Sequence, residues 1–255
     1  MSYVIAVSGK GGTGKTTLAA LIIRTLLDSG RKPVLAVDAD PNACLGLALN
    51  NETSETIGQL REDVLEDPGQ IPAGMGKAEY LDYRLRECTV EGSGFDLITM
   101  GRSEGPRCYC YINSLLRHFL DRLDEKYRYV VIDNEAGMEH LSRRTTRDVD
   151  LLLVVSDATV MGLRSAARIH TLADSLDVNI RRWGLVINRH DGELSAPQQA
   201  EIQRAGLDVW GQVPQDEAVL AHALAGASVL DLPADSPAVV AVRGVLQRIW
   251  QPAMA

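Results

Sequence analysis

The residues best suited to chemistry form the run GKGGTGKTT at positions 9–17. Gly9, Gly14, Lys15 and Thr16 satisfy G-x-x-x-x-G-K-[ST], a spacing that holds nucleotide phosphates. Gly9, Gly11, Gly12 and Gly14 clear side chains from the loop, so backbone N–H groups can converge on phosphate oxygens. An apolar run precedes the loop and a helical pattern over 18–27 follows it. The loop therefore opens a helix, whose N-terminus adds partial positive charge. Lys15 is expected on the β- and γ-phosphates of ATP and the Thr16 hydroxyl on Mg²⁺, with Thr13 and Thr17 in the same cradle.

Two acidic segments qualify next. The run 33–38 ends in Asp38-Ala39-Asp40-Pro41-Asn42, and the run 129–133 ends in Asp133-Asn134-Glu135-Ala136-Gly137. Carboxylates at the C-terminal ends of parallel strands lie where open α/β sheets bind ligands. Phosphoryl transfer to water needs an oriented water and a held metal more than covalent chemistry. Asp133 is expected to reach Mg²⁺ directly or through water, and Gly137 offers a flexible N–H that can respond to a γ-phosphate. Asp40 also has a plain structural reading, as the cap of the helix after it.

A third candidate is Cys108-Tyr109-Cys110. Two thiols one residue apart fit a single metal ion, yet one chain supplies too few thiolates for a closed tetrahedral site. A two-fold dimer would supply four. The alternative is a pair of incidental buried cysteines. Cys44 reads as a small packed residue beside the first acidic segment, and Cys88 has no assigned role. His118 and His140 stand near the cysteine and acidic motifs without a ligand pattern of their own.

With Lys10 placed early in the loop, GKGGTGKT resembles the deviant phosphate loop of the MinD/ParA/nitrogenase-iron-protein class of dimeric ATPases. That resemblance implies that Lys10 reaches across a dimer to the partner's nucleotide, that Asp40 orients the attacking water, and that Asp38 belongs to the Mg²⁺ shell. Lys10, Lys15 and Asp40 are then the catalytic set. It also implies that Asn188, followed by Arg189, and Pro214, within Val213-Pro214-Gln215-Asp216, flank the adenine ring. Asn134-Glu135 stand where many relatives carry Thr-Pro, so the contacts of those two residues do not transfer.

A finer resemblance rests on residues 105–110, Asn113, 135–141 and 38–46. These are similar to the CooC/AcsF family, ATPases that help insert nickel into carbon monoxide dehydrogenase and acetyl-CoA synthase. The likeness runs from the N-terminus to about residue 188. It implies that Cys108 and Cys110 bind Ni²⁺ or Zn²⁺ at the interface of a homodimer, with a nickel enzyme as client. Two rivals remain. One is an iron–sulfur electron-transfer ATPase like the nitrogenase iron protein, although that family spaces its cluster cysteines far apart. The other is a positioning ATPase of the MinD or ParA kind.

The elements that must position these groups are legible as apolar runs at 3–8, 33–38, 95–100, 129–133, 151–156 and 183–188. Most are continuous, as strands covered on both faces should be. Helical patterns alternate with several of them. The clearest places Ile112, Leu115, Leu116, Phe119, Leu120 and Leu123 on one stripe. The expectation is an α/β, doubly wound, mainly parallel sheet flanked by helices, the P-loop NTPase fold. Residues 50–94 are acidic, dotted with Gly and Pro and weakly periodic, and read as a surface insertion on a single domain spanning 1–255. Residues 239–250 read as an amphipathic helix against the sheet.

The chain has 255 residues, of which 45% are hydrophobic and 24% charged, enough for a sizeable core. A net charge of -8 disfavours nucleic-acid binding. No stretch approaches the roughly 20 apolar residues of a membrane span, and few basic residues accompany the run 239–250, which disfavours membrane attachment through it. The apolar run at 3–8 feeds a glycine loop instead of a cleavage site, so a cytoplasmic protein with free or metal-binding cysteines is expected.

Overall fold

Continuous Val, Ile and Leu runs form the centre of the fold. In a computed structural model, which describes residues 2–53, 55–66, 71–72, 74–101, 126–135, 148–175 and 179–250, they become strands. These are β1 (Tyr3–Gly9), β2 (Val34–Asp38), β3 (Thr89–Glu91), β4 (Phe95–Thr99), β5 (Tyr129–Asp133), β7 (Leu151–Ser156), β9 (Trp183–Asn188) and β10 (Val209–Val213). They make one eight-stranded sheet in the order β10-β9-β7-β1-β5-β2-β4-β3. Every neighbouring pair in it is parallel except β3 with β4. Two short strands, β6 (Asp148–Val149) and β8 (Asn179–Ile180), pair separately.

Alternate residues of each central strand enter opposite cores. On β1, Val4 and Ala6 join one cluster, while Ile5 and Val7 join the other. The first cluster is covered by α3 (Ile57–Glu66), α4 (Lys77–Glu87) and α5 (Val160–Ser175), through Ile57, Leu60, Tyr80, Leu85 and Leu163. The second is covered by α1 (Lys15–Asp28) and α8 (Pro237–Trp250), through Leu18, Ile22, Leu26, Val239, Val242 and Leu246. Full burial of each such side chain contributes roughly 1.5–3 kcal/mol, which is why strands wrapped on both faces lose their alternation. The remaining helices are α2 (Cys44–Leu49), α6 (Ala196–Ala205) and α7 (Glu217–Ala225).

Expected and observed strand ends agree to within a residue. The segment 50–94 carries more order than its weak periodicity indicates: it holds α3, α4 and β3, and Ile57, Leu60, Tyr80, Leu85 and Cys88 are buried in the core. Cys44, expected to be packed, is exposed at the start of α2, whereas Cys88 is buried. The helix expected over 112–123, the cysteines Cys108 and Cys110, and Gly137 lie outside the described residues. No helix among the described residues is long and apolar enough to cross a membrane.

Candidate nucleotide-binding site

The glycine loop joins β1 to α1. Gly9 packs so closely on β7 that a Cβ there would run into the Val155 carbonyl oxygen. Gly14 has φ +89, in the left-handed region, and a Cβ on it would strike the side-chain amide of Asn188. Thr13 folds back on the loop, donating its N–H and its hydroxyl to the Lys10 carbonyl at 3.4 and 2.8 Å. The first ordinary helical bond of α1 runs from Leu18 N to Gly14 O, 3.0 Å. The N–H groups of Lys15, Thr16 and Thr17 precede it and have no intrahelical acceptor. No side chain caps this end and no acidic residue occupies the first turn, so it is open to an anion. The Lys15 side chain is 7% exposed, and an ammonium drawn that far from water calls for an anionic partner. Lys10, by contrast, is exposed.

The carboxylates come from neighbouring strand ends. Asp133 pairs in register with Val7 of β1 and with Asp38 of β2. Backbone bonds continue past the ladders: Asn134 N to Val7 O at 3.0 Å, Ala39 N to Asp133 O at 2.9 Å, and Met100 N to Asp38 O at 2.8 Å. Asp38 and Asp133 are both fully buried. Asp38 accepts from Leu45 N at 2.7 Å and Asp40 N at 3.2 Å, so its carboxylate anchors the first turn of α2. Burial pushes its carboxyl up to about 6, partly offset by those amides. Neither oxygen of Asp133 has a hydrogen-bond partner among the described residues. Burial pushes this carboxyl up to about 7. The nearby Thr16 hydroxyl and the Lys15 charge pull the value down, but Thr16 completes no bond of ordinary geometry to either oxygen. Asp40 is only half-buried, and it accepts from both the backbone N–H and the side-chain amide of Asn42 at 2.9 Å.

On the other side of the loop, Asn188 closes β9 and donates its amide to the Thr13 carbonyl at 2.7 Å. Beyond it lies a cavity of about 480 Å³, walled by Thr17, Leu18, Asn188, Pro214, Asp216 and Leu220 among others. That volume and its largely apolar wall suit a nucleoside. Asn188 and Pro214 therefore share one cavity beside the phosphate loop. Sequence reasoning did not commit to Asp216, Leu220 or Ala223 as part of that wall. The available signal was the cap position of Asp216, directly before the helix-forming run Glu217-Ala218-Val219.

The residues present fit Mg²⁺. A fully buried carboxylate without a hydrogen-bond partner among the described residues, next to a threonine hydroxyl, is the oxygen donor set expected where a hard cation and phosphate oxygens complete the shell, with the buried Lys15 beside it. Among the described residues no three His, Cys, Asp or Glu side chains form a metal site by themselves. Asp133 and Thr16 would hold the ion, which supplies charge neutralisation to the phosphates when bound. The chain's own groups do the rest. The open N-terminus of α1 and the buried Lys15 offer positive charge to an anion, Asn188 ties down the loop, and Asp40 is a half-buried carboxylate two residues beyond Asp38.

Residues 4–229 match the CobQ/CobB/MinD/ParA nucleotide binding domain family. The chain is 39% identical, over 96% of its length and 98% of the relative's, to an uncharacterized ATP-binding protein of Methanocaldococcus jannaschii. It is 32% identical, over 89% of each, to the carbon monoxide dehydrogenase accessory protein CooC of Rhodospirillum rubrum. Among solved structures, MinD in the MinC:MinD cell division complex of Aquifex aeolicus superposes with a TM-score of 0.72 at 22% identity, covering 100% of this chain and 98% of that one. The glycine loop at the head of α1, the paired strand-end carboxylates and the matched profile place this chain in the CobQ/CobB/MinD/ParA family, and it is a P-loop ATPase.

Proposed function

We propose that the protein is a homodimeric cytoplasmic ATPase that delivers nickel during maturation of carbon monoxide dehydrogenase or acetyl-CoA synthase. The observation that carries this reading is its 32% identity, spanning 89% of both chains, to a protein named as a carbon monoxide dehydrogenase accessory factor. The C-x-C pair supports it, because two chains would offer four thiolates to one Ni²⁺ or Zn²⁺ cargo ion. In this scheme Lys10 acts on the partner's nucleotide. Asp40 orients the water, Asp38 joins the Mg²⁺ shell, and Asn188 and Pro214 flank the adenine.

Elemental analysis with light scattering tests the reading. One Ni²⁺ or Zn²⁺ per two chains is expected. Cys108→Ser or Cys110→Ser should lose both the metal and metal-driven dimerisation while ATP binding persists. Affinity should weaken as pH falls, because thiols must shed protons to ligate. One metal per chain, or metal binding unaltered by either substitution, would sink the interfacial site. A brown, iron-containing protein after anaerobic purification would instead favour the iron–sulfur reading.

A further inference from the structure

One carboxylate beneath the cavity holds two helices at once. Asp216 Oδ1 accepts from Ala218 N at 2.8 Å and so caps α7. Its Oδ2 accepts from Ala238 N at 3.0 Å and from the Ser236 hydroxyl, and so caps α8 as well, although that helix begins some twenty residues later. The residue is 8% exposed. Burial alone would raise its pKa, but the bonds from Ser236, Ala238 and Ala218 outweigh it and hold the carboxyl below its usual range. A negative charge at two helix N-termini is favourable to both.

The two helices are held very differently. Five residues of α8, Ala238, Val239, Val242, Val245 and Leu246, are buried, so core packing fixes that helix. No residue of α7 is buried. Leu220 and Leu224 on α7 are 53% and 81% exposed. Yet Val219, Leu220 and Ala223 form one wall of the cavity, and Ala238 of α8 forms part of another. Only Ala218 and Val219, in its first turn, pack partly buried against the core, so the helix takes its position from that end. At the start of α7, that end is tied to the firmly packed α8 through a single side chain.

We propose that Asp216 is a positioning residue for the nucleotide's base: by capping both helices it sets the distance of the α7 wall from the ring. This rests on the reading that the base occupies the cavity lined by Asn188 and Pro214. The role is indirect, since the carboxylate is 8% exposed and both its oxygens are already engaged by donors of the protein itself.

Calorimetric titration with ATP and with inorganic tripolyphosphate, which lacks the base, tests it on the full chain. Asp216→Ala should weaken ATP binding ~tenfold, about the loss expected when hydrogen bonds to a charged acceptor are removed, and leave tripolyphosphate binding unchanged. In turnover, KM for ATP should rise while kcat holds. Asp216→Asn should fall between, because its amide can keep the α7 cap but turns a donor toward Ala238 N. Should Asp216→Ala fail to fold, Ser236→Ala removes only one of the three bonds and should shift ATP binding alone, in the same direction and less. Equal weakening of ATP and tripolyphosphate, or unchanged ATP binding, overturns the proposal. Ala223→Trp, which fills the cavity wall, separates the two failures. If it leaves ATP binding intact, the base is elsewhere and both readings fall; if it blocks ATP while Asp216→Ala does not, the role of Asp216 falls alone.

Discussion

Asp38 and Asp133 sit directly opposite each other on β2 and β5, both fully buried, and hydrogen bonds from described residues reach only Asp38. With carboxyls displaced upward to about 6 and about 7, the nucleotide-free protein binds protons here more tightly than its unfolded chain does. Its stability is therefore greatest below about pH 4 for these two groups and declines as pH rises toward 7. Asp133→Asn removes the larger displacement. The variant should be more stable than the parent at pH 8 by up to about 4 kcal/mol, with the gap closing toward pH 4. Urea titrations of both proteins at several pH values, without Mg²⁺ or nucleotide, measure it. A gap that widens as pH falls would contradict the assignment.

Lys15→Ala should abolish ATP binding, because it removes the buried charge at the head of α1. Asp40→Asn should behave otherwise. The amide can still accept from Asn42, so the turn survives, while the loss of a carboxylate slows hydrolysis by ~10²-fold or more. Affinity and single-turnover rates for both variants check this, and undiminished turnover in Asp40→Asn would remove it from the reaction.

Asn188→Ala should weaken ATP binding ~tenfold through loss of the bond to the Thr13 carbonyl. Asn188→Asp should be worse, since a carboxylate there cannot donate to Thr13 and would repel the phosphates. Unchanged affinity in Asn188→Ala would show that the clamp on the loop does not matter to binding.

Lys10 is exposed, so its ammonium can reach a neighbouring chain. Lys10→Ala should impair hydrolysis more than nucleotide binding. Mixing Lys10→Ala chains with Asp40→Asn chains should restore part of the activity, since one of the two sites then combines an intact Asp40 with the other chain's Lys10. Proven heterodimers without recovery would place the lysine's action within its own chain.

The six central strands were legible because parallel strands under helices are apolar from end to end, as β7 with Leu151, Leu152, Leu153, Val154 and Val155 shows. β10 carries the sequence VWGQV at an edge of the sheet, where burial is partial and the signal is diluted. α3 and α4 escaped because their mean composition is polar; among the described side chains Ile57 and Leu60 are sunk on one, Tyr80 and Leu85 on the other. The phosphate loop could be read directly, since its residues are contiguous. Asp216 could be seen as a cap for the helix beside it, but its second helix begins twenty positions away, a proximity that only folding creates.

The three backbone bonds that run past the ladders, from Asn134 to Val7, Ala39 to Asp133 and Met100 to Asp38, lash four strand tips into one rigid frame. Such a frame cannot answer a missing phosphate by letting one tip slide past the next. Any report of hydrolysis must be carried by chain beyond the lashings, as at Asp40, which follows Ala39. The tips then serve as a fixed bearing, and that segment is the lever that turns on it.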